Sequence, residues 1–129
     1  MSATPAYWQW FNQARFGMFI HWGAYSVYGR GEQVLFREHL DQRAYAEQAC
    51  RWQPQRYDPA AWAATARRAG MRYAVLTTRH HDGFCLWDSK LTDYSTARQA
   101  AGRDMVRDYV DAFRAAGLRV GLYYSLCDW

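Results

Sequence analysis

The sequence has few cysteines and none of the spacings that make cysteines structural. Its 129 residues include three, Cys50, Cys85 and Cys127, which lie far apart and form no Cys-x-x-Cys pair. This spacing excludes a disulfide scaffold and a zinc ribbon, so we expect reduced, buried thiols. Long apolar runs are also missing, because the longest is far shorter than the roughly 18 residues of a membrane-spanning helix. The sequence therefore predicts no membrane partner.

Neither sign of charge is concentrated in a block. The chain has 16 basic and 12 acidic residues and a net charge of +4, and its arginines are scattered among the acids. Because no stretch is suited to follow a phosphate backbone, we expect no nucleic-acid partner. Glycine-rich phosphate loops and a Gly-x-Ser-x-Gly turn are absent as well, and we predict no cofactor.

The amino terminus lacks the features of a secretion signal. Residues 1–13 contain no basic region followed by an apolar core and a small-residue cleavage site. We therefore predict a cytoplasmic location.

The chain is rich in apolar and aromatic residues, arranged in alternating strand-like and helix-like segments. Hydrophobic residues make up 50% of it and aromatic residues 18%, which is enough to build a core. Asp58, Pro59 and Gly70 are suited to begin and end a helix, and Asp41 is suited to begin the one before it. The predicted strands cover residues 16–21, 73–78 and 120–126, and the predicted helices cover residues 41–52, 59–69 and 103–116.

This alternation predicts an α/β fold of about three parallel strands with intervening helices. Parallel strands need crossover connections, and the helices between them supply these. Three strands form neither a closed eight-stranded barrel of roughly 250 residues nor an open sheet of the usual size. We therefore expect the chain to be incomplete, with its functional groups at the carboxyl ends of the strands.

Two adjacent histidines and an aspartate follow the second predicted strand. Neighbouring side chains of a strand point to opposite faces, so His80 and His81 face one ligand only if the backbone turns between them. One histidine is expected to enter a pocket while the other supports a loop. A metal site built from His80, His81, Asp82 and His21 is an alternative, although the spacing is unlike that of common metal motifs. Loop histidines without a function are a further alternative.

The first strand ends at His21, which suits a pocket with a hydrogen-bonding tip and apolar walls. The chain has 7 tryptophans and 10 tyrosines. Most are expected in the core, but tryptophan and tyrosine faces also pack against sugar rings, so this composition is typical of a carbohydrate site. Glu32 follows a glycine-rich turn and either meets a ligand hydroxyl or pairs with Arg30 or Arg37.

Three blocks of sequence carry a family pattern in a fixed order. They read RFGMFIHWG at residues 15–23, YAVLTTRHHDGF at residues 73–84 and GLYYSL at residues 121–126. Together with LWDS at residues 86–89 and with Arg103 and Asp104, they resemble the α-L-fucosidases of glycoside hydrolase family 29. The resemblance covers about residues 10–129, nearly the whole chain.

The resemblance implies the amino-terminal part of a (β/α)8 barrel that cleaves terminal α-L-fucose with retention of configuration. Residues 1–129 are then a single, incomplete catalytic domain. The substrate is a fucosylated glycan or fucoside, and the oligomeric state is left open. The residues that match the sugar-binding positions of the family are His21, Glu32, His80, His81 and Tyr123.

Two departures from the family pattern concern chemistry. The tryptophan that follows the family's glutamate is replaced by Gln33, which removes one expected wall of the sugar pocket. The family's nucleophile and acid/base come after the fourth strand, beyond Trp129, and no acid present matches either role. We therefore expect no catalytic residue in the chain and no activity from it alone. The alternatives are a non-catalytic sugar-binding or truncated module and a metal-dependent hydrolase that uses the histidine pair.

Overall fold

The computed structural model describes residues 5–129; residues 1–4, where the segment tested for a secretion signal begins, lie outside the described residues. In chain order the elements are α1 (Ala6–Ala14), β1 (Gly17–Ile20), a 3₁₀ helix (Ala24–Tyr28), α2 (Val34–Arg37), α3 (Gln42–Arg51), α4 (Pro59–Arg68), β2 (Tyr73–Arg79), α5 (Met105–Ala115) and β3 (Arg119–Tyr124). No helix within residues 5–129 is both long and apolar enough to cross a membrane.

Aspartate side chains begin the three long helices after β1. The carboxylates of Asp41, Asp58 and Asp104 each accept a hydrogen bond from the backbone N–H three residues on, at 2.8, 2.9 and 2.8 Å. Each bond satisfies a donor that the first turn of a helix leaves unpaired. Gly70 and Gly117 follow α4 and α5 with φ angles of 79° and 70°, a conformation that favours glycine. The predicted starts of α3 and α4 are confirmed.

The three strands form a parallel sheet, as predicted, and their order in the sheet is β1-β2-β3. Ala74 and Leu76 of β2 are fully buried against α4 and α5. Because side chains alternate across a strand, Val75 and Thr77 point to the opposite face. The core therefore lies between the sheet and its helices, and the other face of the sheet is available for a site.

An irregularity in β2 decides which side chains reach that other face. Thr77 pairs with Tyr123 but Arg79 pairs with Tyr124, so β2 has one residue more than β3 at this point. An extra residue shifts the alternation that follows it by one. His80 is thereby moved from the helix side of the sheet to the face of Thr77. The Thr78 hydroxyl donates to the Tyr123 carbonyl at 2.8 Å and stabilises the irregular pairing.

The structure differs from the prediction at several points. No sequence pattern predicted α1, α2 or the 3₁₀ helix, each of which is short or rich in aromatic residues. The third strand ends at Tyr124 rather than at residue 126, since the Arg79 guanidinium binds the carbonyls of Ser125 and Cys127 at 2.7 and 3.3 Å. The cysteines are free, but the expectation that all are buried is wrong, because Cys127 is exposed and only Cys85 is fully buried.

Candidate functional site

Three rings meet where the three strands end, on the face of the sheet away from α4 and α5. The centroids of His21 and His80 are 5.8 Å apart, those of His80 and Tyr123 are 5.9 Å apart, and those of His21 and Tyr123 are 6.4 Å apart. We call His21, His80 and Tyr123 the ring cluster. It brings together residues that are up to 102 positions apart in the sequence, and each comes from the carboxyl end of a different strand.

Phe19 forms an apolar wall beside the ring cluster, and sequence reasoning missed it. Its side chain is 54% exposed, with ring centroids 4.4 Å from His21 and 5.9 Å from Tyr123. The period of two along a strand is the signal that identifies it, because Phe19 lies two residues before His21 and shares its face. An exposed phenylalanine beside polar rings gives the site both apolar and hydrogen-bonding surface.

The imidazole of His80 is held uncharged by its surroundings. Burial lowers its pKa from 6.5 to about 4, the positive forms of His81 and His21 act in the same direction, and the charge of Glu32 opposes them. A neutral imidazole carries one N–H donor and one nitrogen lone pair. Nδ1 of His80 is buried and has no hydrogen-bond partner among the described residues. His80 is therefore suited to a neutral, hydroxyl-bearing ligand.

A buried network joins the end of β1 to β2. The hydroxyls of Tyr25 and Thr77 lie 2.9 Å apart, and the Thr77 oxygen is 3.3 Å from the backbone N–H of Trp22. Burial raises the pKa of Tyr25 above its ordinary value, so this phenol stays protonated. The Tyr25 ring also meets His80 edge-on at 5.6 Å. This network fixes the segment that carries His21 relative to His80.

His81 lies beside His80 because the chain turns after β2. The backbone N–H of Gly83 donates to the His80 carbonyl at 3.1 Å, and the two imidazole centroids are 4.4 Å apart. His81 also hydrogen-bonds the Ser125 hydroxyl through Nδ1 and packs against Trp129 at 4.8 Å. It therefore both adjoins the ring cluster and holds the segment after β3.

Glu32 is half-buried in the turn before α2, close enough for its charge to act on Tyr25 and His80. The alternative of a pair with Arg30 or Arg37 is not realised, because Arg30 binds Glu38 at 2.7 Å and Arg37 binds Gln33 at 3.0 Å. Glu32 has no hydrogen bond or ion pair with another residue in the range 5–129. Gln33 stands where the family has tryptophan. Its side-chain oxygen accepts a hydrogen bond from Arg37.

Asp82 and Asp128, the acids next in sequence to His81 and Trp129, both contact other side chains of the fold. Tyr45 donates to Asp82 at 2.6 Å, and Asp128 pairs with Arg79 at 2.7 Å. Burial raises the pKa of Asp82, and the bond from Tyr45 opposes that rise. Within residues 5–129 no three His, Cys, Asp or Glu side chains are grouped so that they could hold a metal ion. The alternative of a metal site on the histidine pair therefore has no donor set here.

The family model described as "Alpha-L-fucosidase" matches residues 2–129. The chain belongs to the α-L-fucosidase family. Human tissue α-L-fucosidase is 34% identical to it over 137 residues, an alignment that covers 93% of this chain and 29% of the human protein. The chain thus spans about 30% of the length of the curated relatives it matches.

Solved α-L-fucosidase structures share the fold. Isoenzyme 1 from Paenibacillus thiaminolyticus is 56% identical with a TM-score of 0.92, over 96% of this chain and 30% of that one. A Bacteroides thetaiotaomicron GH29 α-L-fucosidase is 33% identical with a TM-score of 0.91, over 99% and 32% of the two chains, and its structure is of a trapped covalent intermediate with 2-fluoro-fucosyl fluoride. The expected fold class, the amino-terminal part of a (β/α)8 barrel, is confirmed. The sugar-binding roles of His21, Glu32, His80, His81 and Tyr123 stay predictions.

Proposed function

We propose that the complete gene product is a retaining α-L-fucosidase and that residues 1–129 supply much of its fucose-binding surface. One observation carries the proposal: the ring cluster lies at the carboxyl ends of three parallel strands, which is where barrel enzymes place their sites. Family membership gives that site its chemistry.

The groups of the site match the chemistry of fucose. The sugar is uncharged and carries hydroxyls, which a neutral His80 and the half-buried Glu32 are suited to bind. It also has apolar C–H faces and a methyl group, and Phe19 and Tyr123 offer aromatic faces for them. The cluster therefore binds by hydrogen bonds and packing rather than by charge.

The catalytic carboxylates come from elsewhere in the complete protein. Retaining glycosidases use two carboxyl groups about 5 to 5.5 Å apart, one as nucleophile and one as acid and then base. Asp82 is bound to Tyr45 and Asp128 is paired with Arg79, and neither matches the position of a catalytic acid in the family pattern. We propose that both catalytic acids lie outside these 129 residues.

The test is hydrolysis of an aryl α-L-fucoside by the complete gene product, with the first-formed sugar observed by proton NMR. We expect α-L-fucose to appear before its β-anomer, and the rate to be unaffected by EDTA. The matching aryl β-L-fucoside and α-D-galactoside are the controls and should react far more slowly. Absence of hydrolysis, or β-L-fucose as the first product, would contradict the proposal.

A further inference from the structure

Ser125 lies directly behind His81 and is almost fully buried, with 3% of its surface exposed. Its hydroxyl oxygen has two hydrogen-bonding partners among the described residues. One is Nδ1 of His81, and the other is the carbonyl oxygen of Cys127 at 3.2 Å.

If both contacts are hydrogen bonds, counting protons gives the direction of each. A carbonyl oxygen has no proton to give, so the Ser125 hydroxyl donates to Cys127. That hydroxyl has one proton, and it cannot donate to His81 at the same time. Nδ1 of His81 must therefore carry the proton and donate to Ser125. In a neutral imidazole the lone pair is then on Nε2.

The position of Ser125 is itself fixed. Its backbone N–H donates to the Arg79 carbonyl at 3.0 Å, and the Arg79 side chain binds its carbonyl at 2.7 Å. The Arg79 guanidinium is held in turn by Asp128 at 2.7 Å. These contacts hold the Ser125 backbone beside His81, so that its hydroxyl lies next to Nδ1.

We propose that Ser125 is a positioning residue that sets the tautomer of His81, so that Nε2 accepts a hydrogen bond from a hydroxyl of the bound sugar. The choice of sugar as ligand rests on the proposed function, whereas the tautomer itself follows from the contacts of Ser125 alone. Ser125 does not touch the ligand, and it acts through His81.

The direct test is ¹⁵N NMR of the complete protein labelled at histidine, with His81→Gln used to assign the His81 signals. At neutral pH without ligand, we expect Nδ1 of His81 in the protonated range and Nε2 in the unprotonated range. Addition of L-fucose should shift the Nε2 signal. A ring protonated at Nε2, or at both nitrogens, would overturn the proposal, and so would an Nε2 signal that L-fucose leaves in place. These readouts need no fucoside hydrolysis, so a protein that passes them without hydrolysing a fucoside would contradict only the catalytic part of the proposed function.

Variants separate positioning from a general structural role. Ser125→Ala should give a mixture of both His81 tautomers and lower kcat/KM for an aryl α-L-fucoside roughly tenfold, the effect of about one hydrogen bond. Ser125→Thr keeps a hydroxyl and should retain the wild-type tautomer. Ser95→Ala is the matched control, because Ser95 is fully buried and its hydroxyl has no hydrogen-bond partner among the described residues. A Ser125→Ala protein that keeps the wild-type His81 signals would overturn the proposal, and if this variant fails to fold, the wild-type spectrum still decides.

Discussion

At the scale of residues, the electrostatics of the site depend on one buried imidazole. His80 is 5% exposed and is packed between Tyr25, Tyr123 and two other histidines. These surroundings favour its neutral form and lower its pKa from 6.5 to about 4. The unfolded chain exposes the same ring to water, so the folded and unfolded proteins take up this proton at different pH values.

The shift predicts a pH-dependent contribution to stability. Between pH 6.5 and about 4 the unfolded chain binds a proton at residue 80 that the folded protein does not. The contribution of His80 to the free energy of unfolding should therefore be fully present above pH 6.5. It should be lost as the pH drops through this window. The melting temperature of His80→Gln should decline less than that of the wild type over the same range. The exposed His39 is the control, and His39→Asn should follow the wild type. Parallel curves for His80→Gln and the wild type would contradict the shift.

The ring cluster also predicts kinetic losses. In the complete protein, His21→Ala and His80→Ala should each raise the barrier for fucoside hydrolysis by about 1 to 3 kcal/mol, the range for hydrogen bonds to a bound ligand. The quantity to measure is kcat/KM for an aryl α-L-fucoside, with His39→Asn again as the control. A wild-type kcat/KM in both variants would show that His21 and His80 do not bind the substrate.

At the scale of elements, the sequence predicts what local chemistry controls. The N-caps Asp41 and Asp58 and the glycine after α4 were recognisable because each satisfies a local backbone requirement. The irregularity of β2 was not recognisable in the sequence, because it depends on how β2 pairs with β3, 45 residues away. For this reason the sequence left open which of His80 and His81 faces the ligand. The family resemblance named both, and the structure gives the reason that they lie together.

The hydrogen bond from Thr78 should stabilise the irregular pairing of β2 with β3. Thr78→Val keeps the shape of the side chain but removes the hydroxyl that donates to the Tyr123 carbonyl. We expect the free energy of unfolding, measured by urea denaturation, to fall by about 1 to 2 kcal/mol, because the partly buried Tyr123 carbonyl loses this hydrogen bond. Thr65→Val removes an exposed hydroxyl bond within α4 and should cost less than about 0.5 kcal/mol. Equal losses for the two variants would show that Thr78 has no special role in the sheet.

At the scale of the whole molecule, the sheet leaves apolar surface uncovered. Leu122 and Tyr124 of β3 are 55% and 52% exposed, beside a groove of about 550 Å³ between the strand and α5. The alternation of elements was enough to predict an α/β fold, and the three sequence blocks were enough to predict the family. The groove was not predictable, because its shape depends on side chains that meet only after α5 packs on the sheet.

The 129 residues and the complete gene product should differ in their activity toward α-L-fucosides. The chain alone should hydrolyse no α-L-fucoside, because the proposed function places both catalytic acids outside these 129 residues. The complete product should hydrolyse an aryl α-L-fucoside. Comparison of initial rates at equal protein concentration tests this difference. Hydrolysis by the 129-residue chain at a rate comparable to that of the complete product would show that these residues contain their own catalytic pair.

A crystal structure of the complete gene product with L-fucose bound would show directly whether the ring cluster is the fucose site. We expect hydrogen bonds from the sugar hydroxyls to His21, His80 and Nε2 of His81, with the apolar side of the sugar against the rings of Phe19 and Tyr123. A fucose molecule bound away from the ring cluster, with none of these side chains in contact with it, would show that the cluster is not the fucose site.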